Sequence, residues 1–248
     1  MKNITKKLGM FVVTGMVVSG AVYPLTTQAA IQHTTILAQK EASSNTYYDV
    51  LQKADEPSQL IAYIKEHIKT ATQQEIDEYM RGLFSFCDDV REVDFKQLQS
   101  VKQYLPKDVR AALPLLIKEH NKPSLKDGVA NVSLNELLNR SLAYEKYLKK
   151  YSSGTGADTI KKFYQENVSF AITGGYHKGM GLPNVYADDS MMKVDKAVRQ
   201  SYKQFATKNK TTKTGKVVKK YIALLNKTNG KITNRVEKFY DTIYTLTK

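Results

Sequence analysis

The 248-residue chain has one cysteine, Cys87, and no tryptophan. A single thiol excludes an internal disulfide and every zinc site built on paired cysteines. Histidine is scarce too. The four are His33, His67, His120 and His177, and no H-E-x-x-H or other paired metal-ligand spacing occurs. Glu66–His67 and Glu119–His120 are adjacent pairs; neighbours on a helix point about 100° apart, so neither pair converges. There is no G-x-S-x-G nucleophile turn and no G-x-G-x-x-G dinucleotide fingerprint. No metal and no cofactor are therefore expected. Beyond residue 22 no apolar run is long enough to span a bilayer; "AALPLLI", from Ala111 to Ile117, is broken by Pro114.

Acidic residues are also few, 24 against 38 Lys and Arg, for a net charge of +14. The excess is not evenly spread. Residues 1–29 carry +3, from Lys2, Lys6 and Lys7. Residues 199–248 carry +11, with only Glu237 and Asp241 opposing thirteen cations. Everything between sums to zero. A neutral body with a basic last fifth points to an anionic partner.

The N-terminus reads as a secretory signal peptide over 1–29. Its lysines precede an uncharged run from Leu8 to Val22; Pro24 ends that run, and Thr27-Gln28-Ala29 supplies small residues at an exit. The expected mature chain starts at Ala30 and is secreted or associated with the cell wall. Low cysteine and a lysine-rich surface match a bacterial origin. At this length the chain buries a core without disulfides. Cys87, in "GLFSFCDDV" beside Phe84 and Phe86, reads as a buried apolar residue.

Helical periodicity dominates the mature chain. Thr72 with Glu75, and Ser133 with Glu136, are capping-box signatures. Pro57 suits a first helical position, and Phe95–Leu105 reads as a helix stopped by Pro106. Pro114 should kink the helix after it. Leu137, Ser141, Tyr144, Leu148 and Tyr151 trace one face, as do Met191 to Phe205 within a helix expected over Asp188–Lys208. "NVSFAI" has strand-like composition but no partner hairpin. Ile232, Val236, Phe239, Ile243 and Leu246 form a last stripe. The fold class is all-α, a multi-helix bundle with a neutral body over 30–186 and a basic helical segment over 187–248, packed on that body. The polar, glycine-ended "ATKNKTTKTG" reads as a possible hinge within that segment. "IKEHIK" and "IKEHNK" repeat by coincidence of exposed-face composition.

Between body and basic segment lies "AITGGYHKGMGLPNVY", Ala171–Tyr186. It is not a P-loop: Met180 and Gly181 follow the second spaced glycine where Lys and Ser or Thr are needed. As a glycine-rich bend it can connect helices or form an anion-binding nest with Lys178. His177 with Asp188 or Asp189 is the one base–orienter pairing for an exported hydrolase. Asp88-Asp89 and Asp188-Asp189 are the acid pairs for a two-carboxylate site, or else plain helix-end charge.

The basic end carries the leading reading. Its aromatics fall on apolar stripes, so they belong to a core and leave no stacking platforms; specific nucleic-acid recognition is not expected. Lysine outnumbers arginine, which favours point-charge attraction. The expected partner is an anionic envelope polymer or a membrane surface, contacted by Lys216, Lys219, Lys220, Lys231, Arg235 and Lys238. A surface-lying helix over Thr214–Asn226 is one form of that contact. An acidic protein partner, with this chain as binding or inhibitor module, is the other non-catalytic reading.

Overall fold

The computed structural model describes residues 46–176, 181, 184–188 and 192–247. The expected signal peptide, and the loop candidates His177, Lys178 and Asp189, lie outside the described residues.

Local signals set the helix starts. Thr46 caps α1 (Tyr47–Lys53), and Pro57 is the first residue of α2 (Pro57–His67). Thr72 and Glu75 form a reciprocal capping box on α3 (Gln73–Phe86). Two 3-10 segments follow, Val90–Glu92 and Phe95–Tyr104. Next come α4 (Lys107–Asn121), α5 (Leu134–Lys150), headed by Ser133, and α6 (Ala157–Thr173), ended by Gly174 at φ 58°. Glycine suits that left-handed end. The chain closes with α7 (Lys196–Lys208), α8 (Lys213–Lys227), α9 (Asn234–Tyr240) and α10 (Ile243–Leu246).

Helix α5 packs along α6, and α7 along α8; these are the two most extensive helix contacts. Helix α8 then lies on α5 and α6, while α9 and α10 pack on α6 and α8. On the other side, α4 links α5 to the 3-10 segments and through them to α2. Residues Asn45–Lys248 group as one compact unit, so the basic helices are part of the body rather than an appendage.

Tyrosine fills the places tryptophan leaves vacant. Tyr144, Tyr164, Tyr202 and Tyr221 are all fully buried. Each phenol then needs a partner, because an unpaired buried hydroxyl is costly. Tyr144 donates to Glu119 and Tyr202 to the Ala171 carbonyl; Tyr221 and Tyr240 hydroxyls lie 3.1 Å apart.

Several expectations are corrected. Phe95–Tyr104 is 3-10 rather than α-helical. "NVSFAI" is the last half of α6, where the 3.6-residue period of Ile160, Phe163, Tyr164, Asn167 and Phe170 overrides local strand preference. The helix expected from Asp188 starts at Lys196, because Ala187–Asp188 (β3) pairs antiparallel with Lys193–Val194 (β4). A similar ladder joins Leu125–Lys126 (β1) to Val129–Ala130 (β2), turning on Asp127 and Gly128, both at positive φ. Helix α4 continues through Pro114. Asp241 and Thr242 divide the last stripe between α9 and α10. Cys87 is half-buried at the end of α3, and burial with the nearby Glu92, Asp88 and Asp89 charges pushes its thiol up.

Candidate anion-binding site

Helix α8 sorts its side chains by angle. Each residue turns it by about 100°. Lys213, Lys216, Lys220 and Lys227 consequently fall within a roughly 60° arc. All four are exposed. Thr214, Gly215, Val217, Val218, Tyr221 and Leu225 are buried on the opposite side. The neighbouring Lys219 is exposed, as are Lys231, and Arg235 and Lys238 on α9. No ion pair among the described residues engages Lys216, Lys219, Lys220, Lys231, Arg235 or Lys238. Tyr244 is exposed, but Tyr202 and Tyr221 point inward: both are fully buried and stack edge to face at 5.4 Å.

A carboxylate from the body fixes where α8 begins. Glu145 on α5 accepts the Lys213 N–H at 2.6 Å and the Thr214 N–H at 2.8 Å, and the Thr214 hydroxyl donates to it at 2.7 Å. The third open N–H, of Gly215, donates to Thr212 Oγ1 at 2.9 Å. The first-turn donors that a helix leaves unpaired are thus satisfied from two sides. The α7–α8 connection is held by hydrogen bonds within it. Thr212 donates to the Asn209 carbonyl through both N–H and hydroxyl, and a Cβ placed on Gly215 would lie 1.9 Å from that same oxygen.

Beside this cap is a concavity of about 500 Å³. It is lined by Lys149 and Leu148 of α5, Ser152, Lys161 and Tyr164 of α6, and Thr211, Lys213 and Lys216 at the head of α8. Four lysines from three elements line it, and Glu145 is its one acid. The Tyr164 hydroxyl lies 3.2 Å from Thr214 Oγ1, and burial pushes this phenol up to about 12.

The remaining candidates separate. Asp188 is exposed on β3. Lys178, His177 and Asp189 are outside the described residues, so the base–orienter pairing has no described geometry. Asp89 caps a 3-10 turn through the Arg91 N–H and pairs with the Arg91 guanidinium at 3.0 Å. Its neighbour Asp88 is exposed. Among the described residues no group of three or more His, Cys, Asp or Glu can hold a metal ion, and no helix is long and apolar enough to cross a membrane.

One constellation is not apparent from sequence. Glu119, expected on an exposed helix face, is 1% exposed. Ser124 donates to it through N–H at 2.8 Å and Oγ at 2.5 Å; Tyr144 donates as well, and Arg140 Nη1 does so at 2.7 Å. Burial alone would raise this carboxyl, but those hydrogen bonds outweigh it and hold Glu119 below the ordinary carboxylate range. Arg140 also reaches Glu136 at 2.9 Å, and Arg91 reaches Glu166 at 2.5 Å while lying over the Phe163 ring. Glu119, Arg140 and Asn167 occupy apolar-stripe positions of α4, α5 and α6: Glu119 follows Ala112 by seven residues and Leu116 by three. A charged residue in phase with a buried stripe was the available signal. With Glu119 and Arg140 buried, the cluster ties the loop after α4 to α5.

No protein-family model, no curated protein and no protein of solved structure matches this chain.

Proposed function

We propose that the protein is a secreted, non-enzymatic helical protein that associates with an anionic phosphate polymer of the cell envelope through its basic C-terminal helices. The supporting observation is the division of α8, with four lysines on one exposed arc and six residues buried opposite. Such a row presents positive charge along a line roughly 20 Å long, since fourteen steps of about 1.5 Å separate Lys213 from Lys227. A linear polyanion matches that shape.

The same division favours a polymer over a lipid surface. An interfacial helix must lay its apolar face among acyl chains. Val217, Val218, Tyr221 and Leu225 already serve the protein core. Insertion of Thr214–Asn226 would require undocking α8 and exposing them, which disfavours the surface-lying helix.

The test is co-sedimentation of the secreted chain with purified phosphodiester wall polymer, beside vesicles of anionic and of neutral lipid. Retention by the polymer, released by salt and exceeding that on anionic vesicles, supports the reading. Equal or stronger retention by anionic vesicles transfers the assignment to lipid, and retention by neither ends it.

A further inference from the structure

We infer that the concavity between α5, α6 and α8 is a discrete seat for one phosphorylated polyol unit, held by Lys149, Lys161 and Lys216. This rests on the polyanion reading above and adds a saturable site to a surface otherwise recognised only by its charge.

Three observations carry it. First, the cations come from separate elements. Lys149 lies in the last turn of α5, Lys161 in the second turn of α6 and Lys216 in the first turn of α8, yet all line one cavity. Lys149 and Lys161 belong to the part of the chain whose charges sum to zero. No ion pair among the described residues engages any of the three. Lysines around one concavity without a partner carboxylate make a positive potential there that an anion would complement.

Second, the cavity's one acid is occupied by the backbone. Glu145 spends Oε1 on the Lys213 N–H and Oε2 on the Thr214 N–H and hydroxyl. The same contact fixes α8 to α5, so the spacing of the lysine stems is set by the fold before a ligand arrives. Preorganisation of this kind lowers the cost of binding.

Third, the lining is mixed in a way that a bare phosphate site does not need. Ser152 and Thr211 place hydroxyls at the cavity, and Leu148 with the buried Tyr164 supplies apolar surface. Lysines suit phosphate oxygens as point charges, hydroxyls suit a polyol's hydroxyls, and apolar surface suits its carbon chain. The volume of about 500 Å³ lies in the ordinary range for a small-ligand site.

The experiment is calorimetric titration of the whole secreted chain with glycerol phosphate, inorganic phosphate and glycerol, repeated on two double variants. Lys149→Gln with Lys161→Gln removes cavity charge. Lys65→Gln with Lys69→Gln removes equal charge from residues that neither line the cavity nor belong to the basic C-terminal helices. All four side chains are exposed, so both variants should fold, and circular dichroism checks this. The expected result is one saturable site for glycerol phosphate, weakened at least roughly tenfold in the first variant and within about twofold of wild type in the second. Equal loss in both variants, or no saturable binding, overturns the inference. Inorganic phosphate binding as tightly as glycerol phosphate overturns the polyol assignment. If glycerol phosphate fails to bind while the polymer is still retained, only the seat is lost. If it binds and the polymer is not retained, the seat survives and the polymer reading falls.

Discussion

Glu145 and Thr214 are 69 residues apart, and one carboxylate oxygen of the first accepts both the N–H and the hydroxyl of the second, at 2.8 and 2.7 Å. An acid of the neutral body therefore starts the most basic helix and holds it in place. The arrangement converts a run of lysines into a face with fixed geometry.

Glu145→Ala should lower stability by about 1–2 kcal/mol, the usual loss of a helix cap. For a unit of this size that is a drop in Tm of about 2–8 °C, at about 2–4 °C for each kcal/mol, readable by thermal denaturation. Glu145→Gln keeps an acceptor and should lose less.

Gly215→Ala should be more damaging than an ordinary glycine-to-alanine change in a helix, which is normally favourable. The added Cβ would meet the Asn209 carbonyl at 1.9 Å, and backbone has to move to relieve it. A loss of about 1–3 kcal/mol is expected from chemical denaturation, with Gly128→Ala, in open space at positive φ, as the comparison.

Glu119→Gln leaves Arg140 and Arg91 without their shared buried carboxylate. Breaking a buried pair by removing one partner costs about 3–5 kcal/mol. Whatever fraction stays folded should bind glycerol phosphate normally, because Glu119 does not line that cavity.

Stability should fall at both ends of the pH scale. Glu119, Glu136 and Asp89 have depressed folded-state values. Their contribution is present above the unfolded carboxylate value of about 4 and is lost as pH falls through the lower folded values. At the alkaline end, burial raises Tyr164 and Tyr186 to about 12. Their neutral forms favour the fold fully below the unfolded phenol value of about 10, and that contribution disappears as pH rises to about 12. Urea midpoints against pH, with phenolate absorbance on the alkaline side, test both limbs; Glu119→Gln should flatten the acid one.

The helices were legible where sequence signals are local. Thr72, Ser133 and Pro57 mark helix starts, and the stripe of α5 predicts the burial of Leu137, Ser141 and Tyr144 but not that of Leu138, Arg140 and Tyr147. Charge asymmetry was legible as a count. What the count could not give was convergence: Lys216 lies 55 residues beyond Lys161, and only the packing of α8 on α5 and α6 brings it to one cavity with Lys149 and Lys161. The Glu119 cluster is hidden in "IKEHNK", whose composition suits a surface, although Glu119 continues a buried stripe. The two short ladders carry no readable period, and Asp127-Gly128 is the one turn signal for the first of them.

The most direct measurement of the central claim is retention on phosphodiester polymer across a series of salt concentrations, for the wild-type chain and for a Lys216→Gln, Lys220→Gln, Lys227→Gln variant. Retention of the wild type should fall steeply with salt, and the variant's logarithmic slope should be shallower by roughly two units, about 0.7–0.9 for each phosphate contact removed. Retention that ignores ionic strength, or a slope unchanged in the variant, would contradict the account.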